Sequence, residues 1–359
     1  MTWLVVVGLA SAAIATGAML FLARPLLHGR MLWPALGAAA VSALLTIGVG
    51  RAFSIASWDY LIGICALAVP VLVLLEAAAI GSGADRTGRW ILMLAWGSIV
   101  FPLAALVPLW LTDACAGTDC ELQDFGGGLP LVVSSSAFVL LAWLPAGVVE
   151  RADPDPRDNR RAMLALLVFW LAFVVWLAHL EGAVDEFTAR IALAAVVGPA
   201  SSALAWLLVD RVRNVSRPVA RSLVLGLVAG IAATIPGAVV VVFPWNLAVG
   251  ALAGCLGSLA YSGRASAAAG IATRWGFVVL VASAVGFLGP AISGDTVGIL
   301  FSAHLDVLSV PIVSFLGVAL LSLVVSAPAW VLLRRHASRE RIPAAIRADA
   351  ASGTVTPED

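Results

Sequence analysis

The sequence predicts an all-α membrane protein. Eleven transmembrane helices form two pseudo-symmetric, inverted five-helix halves plus a final helix, with the N-terminus outside and the C-terminus in the cytoplasm. Three observations carry the membrane reading, and a polar linker at 150–161, near the middle of the chain, suggests the two halves. The 359-residue chain is 62% hydrophobic and 12% charged, with a mean hydropathy of +1.03, far beyond the apolar content of soluble domains. Apolar runs of roughly 20 residues, the length that crosses a bilayer, recur along it. Every basic residue is an arginine, and the arginines gather in alternate connections, so a formal net charge of zero hides a strong sidedness.

The spans fall near 2–23, 31–50, 59–82, 90–112, 125–149, 162–181, 187–209, 221–242, 245–262, 267–289 and 308–333. Connections after odd-numbered spans hold Arg24, Arg30, Arg86, Arg89, Arg151, Arg157, Arg160, Arg161, Arg211, Arg213, Arg217, Arg221 and Arg264, and the C-terminal tail adds Arg334, Arg335, Arg339, Arg341 and Arg347. The opposite side has Arg51 and Arg190. The positive-inside rule therefore puts the arginine-rich connections in the cytoplasm of a multi-pass protein of the cell membrane. Span one lacks a basic n-region and is followed by arginines, which reads as a retained helix rather than a cleaved signal peptide. Residues 1–149 are the first half, 150–161 a cytoplasmic linker with Asp153-Pro154-Asp155-Pro156, and 162–289 the second half. Residues 290–337 are an outer loop and helix eleven, and 338–359 a polar tail expected to lack regular structure.

Within this frame the most informative stretch is Asp124-Phe125-Gly126-Gly127-Gly128-Leu129-Pro130, at the start of span five. The carboxylate suits a helix cap, and the glycines suit close backbone approach or unusual dihedrals. Cys115 and Cys120 share the polar loop just before it and are a disulfide candidate where that loop faces an oxidising compartment. Ser134, Ser135 and Ser136 read as packing residues ahead of a polar path, and Gly250 and Gly254 as a close helix contact.

Several segments together resemble the ammonium transporter family (Amt/Rh), over nearly the whole chain. Asp124 to Gly128 resembles its Asp-Phe-Ala-Gly-Gly signature. Gly81 to Arg86, with Ala84-Asp85-Arg86, is similar to its Gly…Ala-Glu-Arg turn. Trp96 through Phe101-Pro102-Leu103-Ala104 is similar to its Trp…Phe-Pro-Leu-Ala run. Gly226-Leu227-Val228-Ala229-Gly230 followed by Thr234-Ile235-Pro236 is similar to its Gly-x-x-Ala-Gly…Thr-Pro helix. The resemblance implies a homotrimer in membrane lipid, with one narrow pore through each subunit between the two halves. The tail has no match to the family's regulatory C-terminus, which argues against a PII-type regulator.

The family's pore carries two mid-membrane histidines, and here the resemblance places Val132 at the first and Arg274 on or beside the second. It places His179 at a gating phenylalanine, Trp176 at the tryptophan three residues before it, and Val71 at the other gating position. Arg274 falls about ten residues into span ten, ~15 Å along the helix and close to the midplane. An arginine there needs a partner, and Glu76 in span three is the acidic residue at comparable depth, so the two are expected to pair; the other reading is that span ten starts later or that Arg274 reaches to the interface. Glu181, with Trp176 and Trp110 as aromatic walls, is the candidate for an outer vestibule that receives a cation.

The chain has no phosphate-cradling loop, no metal-ligand cluster and no nucleophile–histidine–acid set, so neither an enzyme nor a cofactor or nucleic-acid partner is expected. Two functions remain. One is a channel or transporter for ammonium, ammonia or another small solute. The other is a non-conducting sensor or scaffold trimer on the same fold.

Overall fold

The computed structural model describes residues 3–27, 33–52, 58–81, 84–114, 122–143, 156–263, 271–295 and 298–352. Lipid cannot satisfy backbone N–H and C=O groups, so apolar segments of this length fold as helices. The helices are α1 (Trp3–Leu27), α2 (Trp33–Ala52), α3 (Trp58–Gly81), α4 (Arg86–Ala95), α5 (Phe101–Ala114), α6 (Ser134–Trp143), α7 (Pro156–His179), α8 (Glu186–Val212), α9 (Val219–Thr234), α10 (Trp245–Ser262), α11 (Ile271–Ser293) and α12 (Ser309–Ser352). Among the described residues eight helical segments are long and apolar enough to cross a membrane, and the apolar segments Leu129–Leu140 and Val219–Thr234 are shorter. No strand forms among the described residues beyond an isolated bridge between Val241 and Gly294.

The packing pairs equivalent helices of the two halves. Helix α1 lies against α7, and α6 against α11; within the halves, α2 contacts α3 and α4 as α8 contacts α9 and α10. That repetition is the pseudo-symmetry of a two-half membrane fold. Large side chains such as Leu44, Leu171 and Leu204 point outward, whereas Trp96, Phe138, Phe173, Trp176 and Trp206 are fully buried. Between helices the contacts are made by small residues. A Cβ at Gly226 would lie 2.5 Å from the Ala203 Cα of α8, and one at Gly254 would meet the Ser202 carbonyl of the same helix. Only glycine lets these backbones approach so closely.

Several span limits differ from expectation. Span four is two helices, α4 and α5, joined by a π-helical turn Trp96–Val100, and the start of span five is a second π-helical turn, Leu129–Val133. In the first, Phe101 N–H bonds the Trp96 carbonyl, and Pro102 has no N–H with which to resume the regular ladder one residue later. Helix α9 stops at Thr234 instead of running to 242, because Pro236 cannot continue it and the chain enters a turn. Helix α11 is described from Ile271, and residues 267–270, expected in span ten, lie outside the described residues. The tail, expected to be irregular, continues α12 as helix through Ser352, in keeping with the high helix propensity of its alanines, arginines and glutamate.

Candidate functional site

The Asp124 loop is assembled by its own backbone. Asp124 is buried, its Oδ1 accepts from the Gly128 N–H, and its Oδ2 accepts from the Leu129 N–H at 2.9 Å. One carboxylate thereby satisfies two of the orphan donors that open the helix. Gly127 adopts φ +68°, which a residue with a Cβ avoids, and its carbonyl takes the Leu131 N–H at 3.0 Å. Across the fold, Phe125 N–H donates to the Pro236 carbonyl at 3.0 Å and Gly126 N–H to the Ile235 carbonyl at 3.1 Å. The two halves are therefore stitched together at the end of α9, by the segment where that helix breaks.

The π-helical turn that follows carries Val132, which is buried in the main apolar cluster with Leu131, Phe138, Phe173 and Trp176. From α11 the buried members of the same cluster are Val278, Ala282 and Val285. Ser134 Oγ accepts the Trp96 Nε1–H at 3.1 Å and donates to the Pro130 carbonyl; Ser135 and Ser136 likewise turn back onto carbonyls of their own helix, at Leu131 and Val133. Val71 is half-buried against this cluster.

Arg274, expected near the midplane, lies beside the last turn of α10, with its Cζ 5.8 Å from the Tyr261 ring centroid. Arg217 stacks on that ring at 4.7 Å, and Arg221 bonds its hydroxyl at 2.9 Å. Arg274 thus belongs to the arginine-bearing end of the bundle. Residues 264–270, which span ten was expected to include in part, lie outside the described residues, and a guanidinium near the end of the bundle avoids the cost of ~2.5–3.5 kcal/mol at the centre. Nor does Glu76 pair with Arg274. Its Oε1 accepts from Arg89 Nη1 at 2.8 Å, and its Oε2 takes the Ala35 N–H at 2.9 Å, capping the first turn of α2. Asp85 caps α4 beside it through the Gly88 N–H at 2.8 Å.

His179 and Trp176 are buried between helices rather than open to a vestibule. Trp176 is fully buried and its Nε1–H donates to the Gly63 carbonyl at 3.2 Å. His179 is buried, its Nδ1 bonds the Trp176 carbonyl and so carries the proton, and its Nε2 edge occupies the space that a side chain at Gly8 of α1 would need. Trp110 is exposed on α5, and Glu181 is half-buried in the turn after α7, where burial and then the Asp185 charge raise its carboxyl above the usual range. Trp176 therefore has no accessible face to offer beside Glu181. Cys115 and Cys120, and the linker up to residue 155, lie outside the described residues.

Two polar centres escaped the sequence reading. Asp210 is buried where α8, α9 and α10 meet; it accepts from Arg217 at 2.6 Å, Ser222 at 2.7 Å, Ser258 at 2.9 Å and Trp206 Nε1–H at 3.1 Å. It sits one residue past the expected end of span seven, where a carboxylate reads as a solvated loop charge. At the opposite end, Arg190 binds the Asp295 carboxylate and the Val239 carbonyl. Among the described residues no cluster of histidine, cysteine and acidic side chains is arranged to hold a metal.

No family model matches the chain, and no curated protein sequence does. Solved structures do match. Mep2 of Candida albicans is 17% identical with a TM-score of 0.70, covering 92% of this chain and 84% of that one. Mep2 of Saccharomyces cerevisiae is 15% identical with a TM-score of 0.66, covering 90% and 86%. Rh50 of Nitrosomonas europaea, of the Rhesus protein family of channels, is 17% identical with a TM-score of 0.66, covering 94% and 90%. Bundle, paired halves and broken helices together make this chain a multi-pass membrane protein built on the ammonium transporter (Amt/Rh) fold.

Proposed function

We propose that the chain is a channel of the cell membrane, a homotrimer with eleven crossings per subunit, that passes a small neutral solute, ammonia or a molecule of similar size, between its two halves. One observation carries the reading: the Asp124-capped helix start presents Val132, not an ionisable side chain, to the cluster between the halves. The α11 residues in that cluster, Val278, Ala282 and Val285, are apolar as well. An ion forced through such a constriction loses its hydration without a partner, at a cost of at least several kcal/mol, whereas a neutral hydride loses far less. Neutral passage therefore fits the lining, and Arg274, at one end of the bundle, sets no charge at its middle.

Flux in proteoliposomes tests this. An ammonium salt gradient should alkalinise the lumen faster than in empty liposomes while driving no electrical current. A current proportional to ammonium, or no acceleration, contradicts neutral conduction. The non-conducting sensor or scaffold trimer is the second reading, favoured by the close packing of Val132, Phe173 and Trp176 in one buried cluster. Absent flux of any solute, together with saturable ligand binding, would select it.

A further inference from the structure

The helix that carries Val132 changes its hydrogen-bond register at that residue. Leu131 N–H takes the Gly127 carbonyl, four residues back as in an α-helix, whereas Ser134 N–H takes the Leu129 carbonyl, five residues back. One residue more than an α-helix needs is therefore held between these two bonds, and Val132 and Val133 lie in that interval. Each residue of register is ~100° of rotation and ~1.5 Å of rise, so the place of the extra residue decides which way Val132 points.

Ser134 is bonded in a way that keeps it there. In an α-helix the Pro130 carbonyl would accept the Ser134 N–H; here that N–H goes to Leu129, and Ser134 gives Pro130 its hydroxyl instead. The same hydroxyl accepts the Trp96 Nε1–H at 3.1 Å. Trp96 opens the other π-helical turn, its carbonyl taking the Phe101 N–H, so one hydrogen bond joins the two irregular turns of neighbouring spans. Both side chains are fully buried, where such a bond is stronger than in water. The segment is also anchored at each end. Upstream, Phe125 and Gly126 bond the Pro236 and Ile235 carbonyls; downstream, α6 packs against α11 and α12. The extra residue can shift along the helix, but it leaves through neither end.

We propose that Ser134 is a positioning residue for the solute path: held by Trp96, it pins the extra residue at Val132, and so fixes the side chain that discriminates between neutral amines of different size. The path itself rests on the proposed function. The pinning rests on the hydrogen bonds alone.

Two measurements on Ser134→Ala and Trp96→Phe, which remove one partner each and keep most of its bulk, test it. High-resolution density maps of the full chain in lipid nanodiscs should show the N–H at position 134 moved off the Leu129 carbonyl and Val132 rotated, in both variants. In proteoliposomes, lumenal alkalinisation on methylammonium and ammonium gradients gives the ratio of methylamine to ammonia passage. That ratio should change several-fold and in the same direction in both variants, and the double variant should go no further than Ser134→Ala, because both substitutions break one bond. The ratio is independent of how much protein is active, so a role in stability alone leaves it at the native value. A native ratio in both variants, or a bond kept at Leu129 with Val132 unmoved, overturns the proposal. A native chain that passes neither amine counts against the proposed function, and the maps then decide by themselves whether Ser134 pins the turn.

Discussion

Asp124 shows how much one side chain sets at the start of a membrane helix. Its carboxylate holds the N–H groups of Gly128 and Leu129, which no neighbouring carbonyl reaches. Asp124→Ala should lower stability by about 1–3 kcal/mol and Asp124→Asn by less, read as a fall in Tm of the purified protein. The sequence made this residue legible, because an acid before three glycines at a span boundary has few other uses. The partner of Glu76 was not legible, since apolar length shows how deep a carboxylate lies along its own span but not which arginine of a neighbouring helix reaches it. Glu76 instead joins Arg89 and the start of α2. Arg89→Leu should therefore destabilise by about 3–5 kcal/mol, by stranding a buried carboxylate.

Elements pack here through what their residues lack. Helices α8, α9 and α10 approach until the Ser202 carbonyl occupies the place of a Gly254 side chain and the Ala203 Cα that of a Gly226 side chain. Gly254→Leu should push α10 from α8 and cost about 1–3 kcal/mol or prevent folding, whereas Gly17→Ala, with nothing within 4 Å of the added carbon, should be neutral or slightly stabilising. Thermal unfolding of the two variants side by side distinguishes a packing glycine from an incidental one. Long spans such as α3, α7 and α8 were readable from apolar length alone. The π-helical turns at Trp96–Val100 and Leu129–Val133 were not, because a shift from four-residue to five-residue bonding leaves the apolar pattern unchanged. The stop of α9 at Thr234 had its signal in Pro236, which apolar length outweighed.

For the whole molecule, composition and apolar length were enough to predict a helical membrane bundle, the central linker and the family resemblance suggested paired halves, and the solved structures of Mep2 and Rh50 share that fold over most of the chain. What the fold leaves open is what passes between the halves, because that depends on single side chains such as Val132 rather than on the scaffold around them. On the proposed function a neutral solute moves past Val132, and Arg274 lies off its path. Lumenal alkalinisation on an ammonium gradient, followed by stopped flow in proteoliposomes of the native chain, Val132→His and Arg274→His, tests both halves of the claim. The account predicts faster alkalinisation than in empty liposomes, a rate changed several-fold by Val132→His, and a native rate in Arg274→His. A native rate equal to that of empty liposomes, or a rate moved by Arg274→His and untouched by Val132→His, would contradict it.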